Sequence, residues 1–148
     1  MLKNIRNRKE GFTIIEVLIV LAIAGLILLI VFLAVPALQR NSRNTQRKND
    51  IQSILGAQQE WSNNNGGKVP GSQGDVDAVY ANSKLGFYNT AAPTYKSGAF
   101  VNPKDDKVYI AVGAVCSSGD AAAGTSRQIA VLYTIDSTTG AQKACQDN

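Results

Sequence analysis

The most restrictive feature of this chain is Val17–Leu38, a stretch of 22 residues without one charged side chain. About 20 apolar residues cross a bilayer core as a helix, so the stretch is long enough to span one. With 148 residues in total, the rest of the chain has room for one small extramembrane domain and no second core.

The formal charge of +4 is concentrated at the start. Lys3, Arg6, Arg8 and Lys9 face only Glu10 within residues 1–11, and the remainder carries eleven basic against ten acidic side chains. The basic balance belongs mainly to a leader and gives no general argument for nucleic-acid binding by the body of the protein. Cys116 and Cys145 enclose 28 residues in the last third of the chain. They suit a disulfide loop worth roughly 3 to 4 kcal/mol if that part leaves the cytosol, and are otherwise two unrelated free thiols.

Three readings of the apolar segment compete. A cleaved secretory signal needs an apolar region of about 7 to 15 residues before its cut site; Val35-Pro36-Ala37 could serve as that site, but the run before it is too long. A plain signal anchor explains length and basic start but leaves Glu16 as an unexplained cost. The third reading is an anchor trimmed on its cytoplasmic side. Counting charges does not orient the segment, because Arg40, Arg43, Arg47 and Lys48 follow it about as densely as the leader precedes it.

Lys9-Glu10-Gly11-Phe12-Thr13-Ile14-Ile15-Glu16, followed by the apolar run, resembles the N-terminal signature of type IV pilins and the related pseudopilins. The resemblance covers about the first 40 residues and rests on the coincidence of basic leader, Gly11, Phe12, Glu16 and long run. It implies that a prepilin peptidase cuts between Gly11 and Phe12 on the cytoplasmic face and methylates the new Phe12 terminus. The trimmed subunits would then self-associate into a helical filament through their apolar helices, handled by an assembly platform and its ATPase machinery. Gly25 falls where many family helices carry glycine. Pro36 departs from the pattern, since the family's usual proline would align with Leu33, so the helix break expected at Pro36 is shifted.

The residue types suit this chemistry. Gly11 has no side chain to obstruct a protease drawing the backbone close. Cutting would leave a cationic amine on Phe12, and methylation would keep its charge. In an apolar filament interior that amine and the Glu16 carboxylate would each be costly alone and would compensate one another when paired. In the family the pair is thought to join adjacent subunits, which makes Glu16 an assembly and register residue. Taken without the resemblance, Glu16 is an interfacial carboxylate near the membrane edge. Ala22, Ala24 and Gly25 would let neighbouring helices approach.

Beyond Ala37 the chain turns polar while keeping a helical pattern. Ile51, Ile54, Leu55 and Trp61 share one face at a period of 3.6, an apolar stripe suited to lie under a small sheet. Asn63-Asn64-Asn65-Gly66-Gly67 stops the helix with residues that tolerate left-handed backbone angles. A helix from Phe12 to about Ser62 would run close to 75 Å, with a bend or melted turn near Pro36. Residues 64–104, with Pro70, Gly71, Gly74, Gly86, Pro93, Gly98 and Pro103 among them, read as loop. KVYIAVGAVC and RQIAVLYTID read as strands, and GAQKAC as a third after a turn at Ser137–Gly140.

The expected fold class is therefore α+β. A long N-terminal helix packs under a small antiparallel sheet, as in the type IV pilin fold, and a disulfide closes the C-terminal region around a segment that in pilins is usually surface exposed. The expected organisation is a leader over 1–11, a transmembrane and filament-core helix over 12–38, its amphipathic continuation over 39–63, and an extracytoplasmic β-rich domain over 64–148.

Asp75, Asp77, Asp105 and Asp106 raise a calcium site, but their spacing matches no defined loop and solvated turn residues explain them better, so no metal or cofactor is assigned. Lys84, Lys96, Lys104, Lys107, Arg127 and Lys143 raise a DNA-attracting patch, yet they are dispersed over a near-neutral domain; neither DNA nor a host surface is supported as a partner. The chain has no histidine, and no catalytic constellation emerges. The reading that unites these features is a pilus subunit, made as a single-pass protein of the cytoplasmic membrane with its C-terminal domain outside and exported into an extracellular pilus for adhesion, twitching motility or DNA uptake. Its rivals are a pseudopilin of a type II secretion system and an uncleaved membrane-anchored binding domain.

Overall fold

A computed structural model describes residues 11–88 and 91–148. The chain divides into two units, Met1–Leu38 and Gln39–Asn148. Helix α1, Ile14–Asn64, begins in the first and ends in the second.

In the first unit every described residue is exposed, including Phe12, Leu18, Leu21, Leu26, Ile30 and Phe32. This part of α1 is long and apolar enough to cross a membrane. α1 stays helical on both sides of Pro36, so no turn is melted there. Proline removes one N–H bond and crowds the carbonyl one turn back, and here the surrounding helix absorbs that loss without unwinding.

In the second unit α1 is followed by α2 (Gln73–Asn82), β1 (Thr94–Ser97), β2 (Tyr109–Val112), β3 (Ala114–Ser117), β4 (Asp120–Ala123), β5 (Ile129–Ser137) and β6 (Gly140–Asp147). The main sheet has the order β1-β2-β5-β6, and β3 and β4 form a separate hairpin. Three expectations need correcting. Residues 64–104 contain a helix and a strand, because Ser72 caps α2 and Val76 and Val79 bury its inner face. The sheet is mixed, since β1 runs parallel to β2. The run KVYIAVGAVC makes two strands in different sheets, divided at Gly113, whose φ of 73° suits glycine.

The alternation of side chains builds a core on each face of the sheet. Ile110, Ile129, Val131 and Tyr133 pack with Ile51 and Ile54 of α1 and Val76 of α2. Tyr109, Ala111, Ala130 and Leu132 pack instead with Ala114 and Ala121 of the hairpin. Leu132 pairs with Tyr109 on one side and Cys145 on the other, which turns Cys145 toward the hairpin. The Cys116–Cys145 disulfide, with Cα atoms 5.6 Å apart, joins β3 to β6 there. The segment it encloses is not a surface loop, because it contains β5, whose residues Ile129–Thr134 are buried. The long α1, the antiparallel-rich sheet and this disulfide together make an α+β pilin fold.

Candidate processing and assembly site

The leader up to Glu10 lies outside the described residues. Gly11, Phe12 and Thr13 precede α1 in non-helical, exposed backbone, and an added Cβ on Gly11 would meet nothing within 4 Å. The peptide bond between Gly11 and Phe12 thus lies outside the helical hydrogen-bond ladder, and Gly11 and Phe12 are exposed among the described residues.

Glu16 is held by Thr13. Its carboxylate accepts from the Thr13 N–H at 2.8 Å and from the Thr13 hydroxyl at 2.7 Å, while the Glu16 N–H donates to Thr13 Oγ1 at 3.3 Å. This reciprocal arrangement is a capping box, which satisfies donors that the first turn of a helix would otherwise leave open. The sequence reading missed it, although Thr-x-x-Glu at the start of an apolar run is its signature. The box turns the Glu16 carboxylate back past the helix start, the end at which cleavage would create a cation. Val17, Val20 and Leu21 join Phe12 and Glu16 around a shallow apolar recess beside it.

A second polar constellation, also missed, lies on the part of α1 within the second unit. Arg47 is 3% exposed and forms ion pairs with Asp106 at 3.0 Å and Asp136 at 3.3 Å. It also donates to the Thr134 carbonyl at 2.8 Å and lies over the Phe87 ring. Asp50 is 4% exposed and accepts the N–H groups of Gly86, Phe87 and Tyr88 at 2.7 to 2.8 Å. Arg47 and Asp50 stand one turn before Ile51 and Ile54 on the buried face, so the stripe continues upstream with polar members. Trp61, expected in the stripe, is only half-buried.

The remaining candidates have separate partners. Asp75 accepts from the Gly71 N–H and the Ser72 hydroxyl, which hold its carboxyl below the ordinary range. Asp77 accepts from Gln73, Asp106 pairs with Arg47, and Asp105 accepts from the Tyr109 hydroxyl. Burial, joined by the hydrogen bond to Asp105, pushes Tyr109 up to about 12. Among the described residues no three acidic, cysteine or histidine side chains converge as a metal site would need. Of the basic residues, Lys143 pairs with Asp120 at 2.8 Å and Lys96 lies over the rings of Phe100 and Tyr109.

Residues 6–32 match the family model described as the prokaryotic N-terminal methylation motif. No curated protein and no solved structure matches the chain. The matched segment contains Gly11, Phe12, the capping box and most of the apolar stretch, so the chain carries the class III signal of type IV pilins and pseudopilins at the head of a pilin-type α+β fold.

Proposed function

We propose that this chain is a structural subunit of a type IV pilus, cut by prepilin peptidase between Gly11 and Phe12, methylated on Phe12, and assembled into a filament through α1. The observation that carries the reading is the methylation motif over residues 6–32, set on a helix whose apolar side chains from Ile14 to Leu38 are exposed. A membrane shelters those side chains before assembly, and other copies of the same helix shelter them afterwards. The second unit would sit outside the cytoplasm, where its disulfide is stable.

The same motif serves pseudopilins of type II secretion systems. The disulfide closing the C-terminal region supports the pilus, since such a closure is common in pilins. Surface fibres built from this chain would favour the pilus, and a short periplasmic filament needed for export would favour the pseudopilin. Mass spectrometry of the native protein tests the processing on which both depend. The expected chain begins at Phe12 with a methyl group on its amine, and an intact leader in cells that possess the peptidase overturns the reading in favour of an uncleaved anchored domain.

A further inference from the structure

At the C-terminal end of α1, the Asn65 N–H donates to the carbonyls of Trp61 and Ser62, and the Gly67 N–H donates to the Ser62 carbonyl at 2.8 Å. The Asn65 side chain joins them, its Nδ2 donating to the Trp61 carbonyl at 2.8 Å. Gly66 lies between them with φ at 69°, and its N–H has no hydrogen-bond partner among the described residues. Asn65 and Gly66 are both exposed, and a Cβ on Gly66 would meet nothing within 4 Å. This is the one Asn-Gly step in the sequence.

We infer that Asn65–Gly66 is a modification site at which the side-chain amide is lost spontaneously, converting Asn65 to aspartate or isoaspartate at the end of α1. The Gly66 backbone nitrogen attacks Cγ of Asn65. A bond forms between that nitrogen and Cγ, the bond from Cγ to Nδ2 breaks, and Nδ2 departs as ammonia with the proton that Gly66 gives up. Water then opens the five-membered imide. Addition at Cγ restores the normal backbone as aspartate, and addition at the Asn65 backbone carbonyl carbon gives isoaspartate. No electrons are exchanged with an outside reagent.

Three features of this turn favour the step. The attacking N–H is not held in a hydrogen bond, no side chain follows it to obstruct ring closure, and glycine has the backbone freedom to bring its nitrogen to Cγ. The neighbouring amides of Asn65 and Gly67 are committed to α1 carbonyls. The product also matters for the helix. A carboxylate cannot donate to the Trp61 carbonyl, and a negative charge at a helix C-terminus is unfavourable, so conversion removes one cap and adds repulsion at the same point.

The test is peptide mapping of the purified full chain after prolonged incubation in mildly acidic and mildly alkaline buffers. Fragmentation should resolve residues 63–67, and an isoaspartate-specific label should separate the two products. The expected result is a mass gain of about 1 Da on Asn65. It should arise at least about tenfold faster than on Asn63 or Asn64, which lack a following glycine. The rate should rise in alkali because the nucleophile is the deprotonated amide, and Asn65→Gln should abolish the change because its ring would be larger and slower to close. Conversion of Asn65 no faster than of Asn63 and Asn64 overturns the assignment. This outcome is independent of whether the chain forms a pilus.

Discussion

Asn44 and Asp136 are joined by two opposed hydrogen bonds. Asn44 Nδ2 donates to the Asp136 carbonyl at 2.8 Å, and the Asp136 N–H donates to Asn44 Oδ1 at 2.7 Å. The side-chain amide on α1 thereby satisfies both backbone groups of a β5 residue, as a neighbouring strand would. The Asp136 carboxylate adds its ion pairs to Arg43 and Arg47.

Asn44→Asp should therefore be worse than Asn44→Ala. Alanine leaves two partly buried backbone groups to water, a loss of about 1 to 2 kcal/mol. Aspartate keeps the acceptor, loses the donor, and sets a negative charge against the Asp136 carbonyl and carboxylate. Denaturant unfolding followed by the fluorescence of Trp61, the single tryptophan, measures both variants.

Asp50→Asn should cost nearly as much as Asp50→Ala. The three N–H groups of Gly86, Phe87 and Tyr88 converge on two carboxylate oxygens, and an asparagine offers one acceptor and directs an NH2 at the others. Leaving such donors unsatisfied predicts a loss of about 3 kcal/mol or more. Unfolding in the same assay, with similar midpoints for the two variants, checks it.

The elements that read well from sequence are those whose local pattern and tertiary role agree. Val17–Leu38 is apolar all round, Ile51 and Ile54 keep helical spacing, and Ile129–Tyr133 is β-branched and aromatic enough to be a central strand. β4 was missed because Asp-Ala-Ala-Ala has little strand preference of its own; the small alanines are required where the hairpin lies close on Ala111 and Ala130. α2 was hidden behind Gly71 and Gly74, although Ser72 and Asp75 supply its cap. Nothing in the local sequence marks Arg47 and Asp50 as buried, because their partners lie 36 or more residues away, and only the folded sheet brings Asp136, Asp106 and the Gly86–Tyr88 backbone to them. At the N-terminus the same stretch, Thr13 to Glu16, carries both the methylation motif and the capping box.

Replacing both Cys116 and Cys145 with serine should lower stability by about 3 to 4 kcal/mol, from the loop entropy returned to the unfolded chain. The loss should be concentrated on the hairpin, because the disulfide fastens β3 to β6 and the hairpin's own contacts are mainly alanine. Hydrogen exchange should speed up first in Ala114–Ala123, with β5 following only on global unfolding.

Acid should weaken the hairpin through Asp120. Its hydrogen bond from Lys143, joined by the Asn102 N–H, lowers its pKa below the ordinary 3.8. A depressed carboxylate contributes stability that is present above the unfolded value and is lost as pH falls through the folded one. The contribution should thus be intact above about pH 4 and fade in stronger acid. Asp120→Asn should flatten that part of the acid-unfolding profile while leaving the remainder of the curve in place. An unchanged slope in the variant would show that the pair adds nothing.

Glu16→Gln separates the capping role of this side chain from its proposed role in assembly. As a capping residue, glutamine serves nearly as well as glutamate, since its carbonyl can accept from the Thr13 N–H and hydroxyl. As a partner for the charged terminus of Phe12, it fails, because a neutral amide leaves a cation stranded in an apolar interior. The proposed filament role therefore predicts that Glu16→Gln inserts into the membrane, is cut after Gly11 and is methylated on Phe12, yet assembles as poorly as Glu16→Leu. Thr13→Val gives the converse case: it removes the hydroxyl of the cap and keeps the carboxylate, so assembly should persist with a frayed first turn. Counting filaments from the three variants beside mass spectrometry of their N-termini reads both properties at once. Normal filaments from Glu16→Gln would assign the residue to the helix start alone.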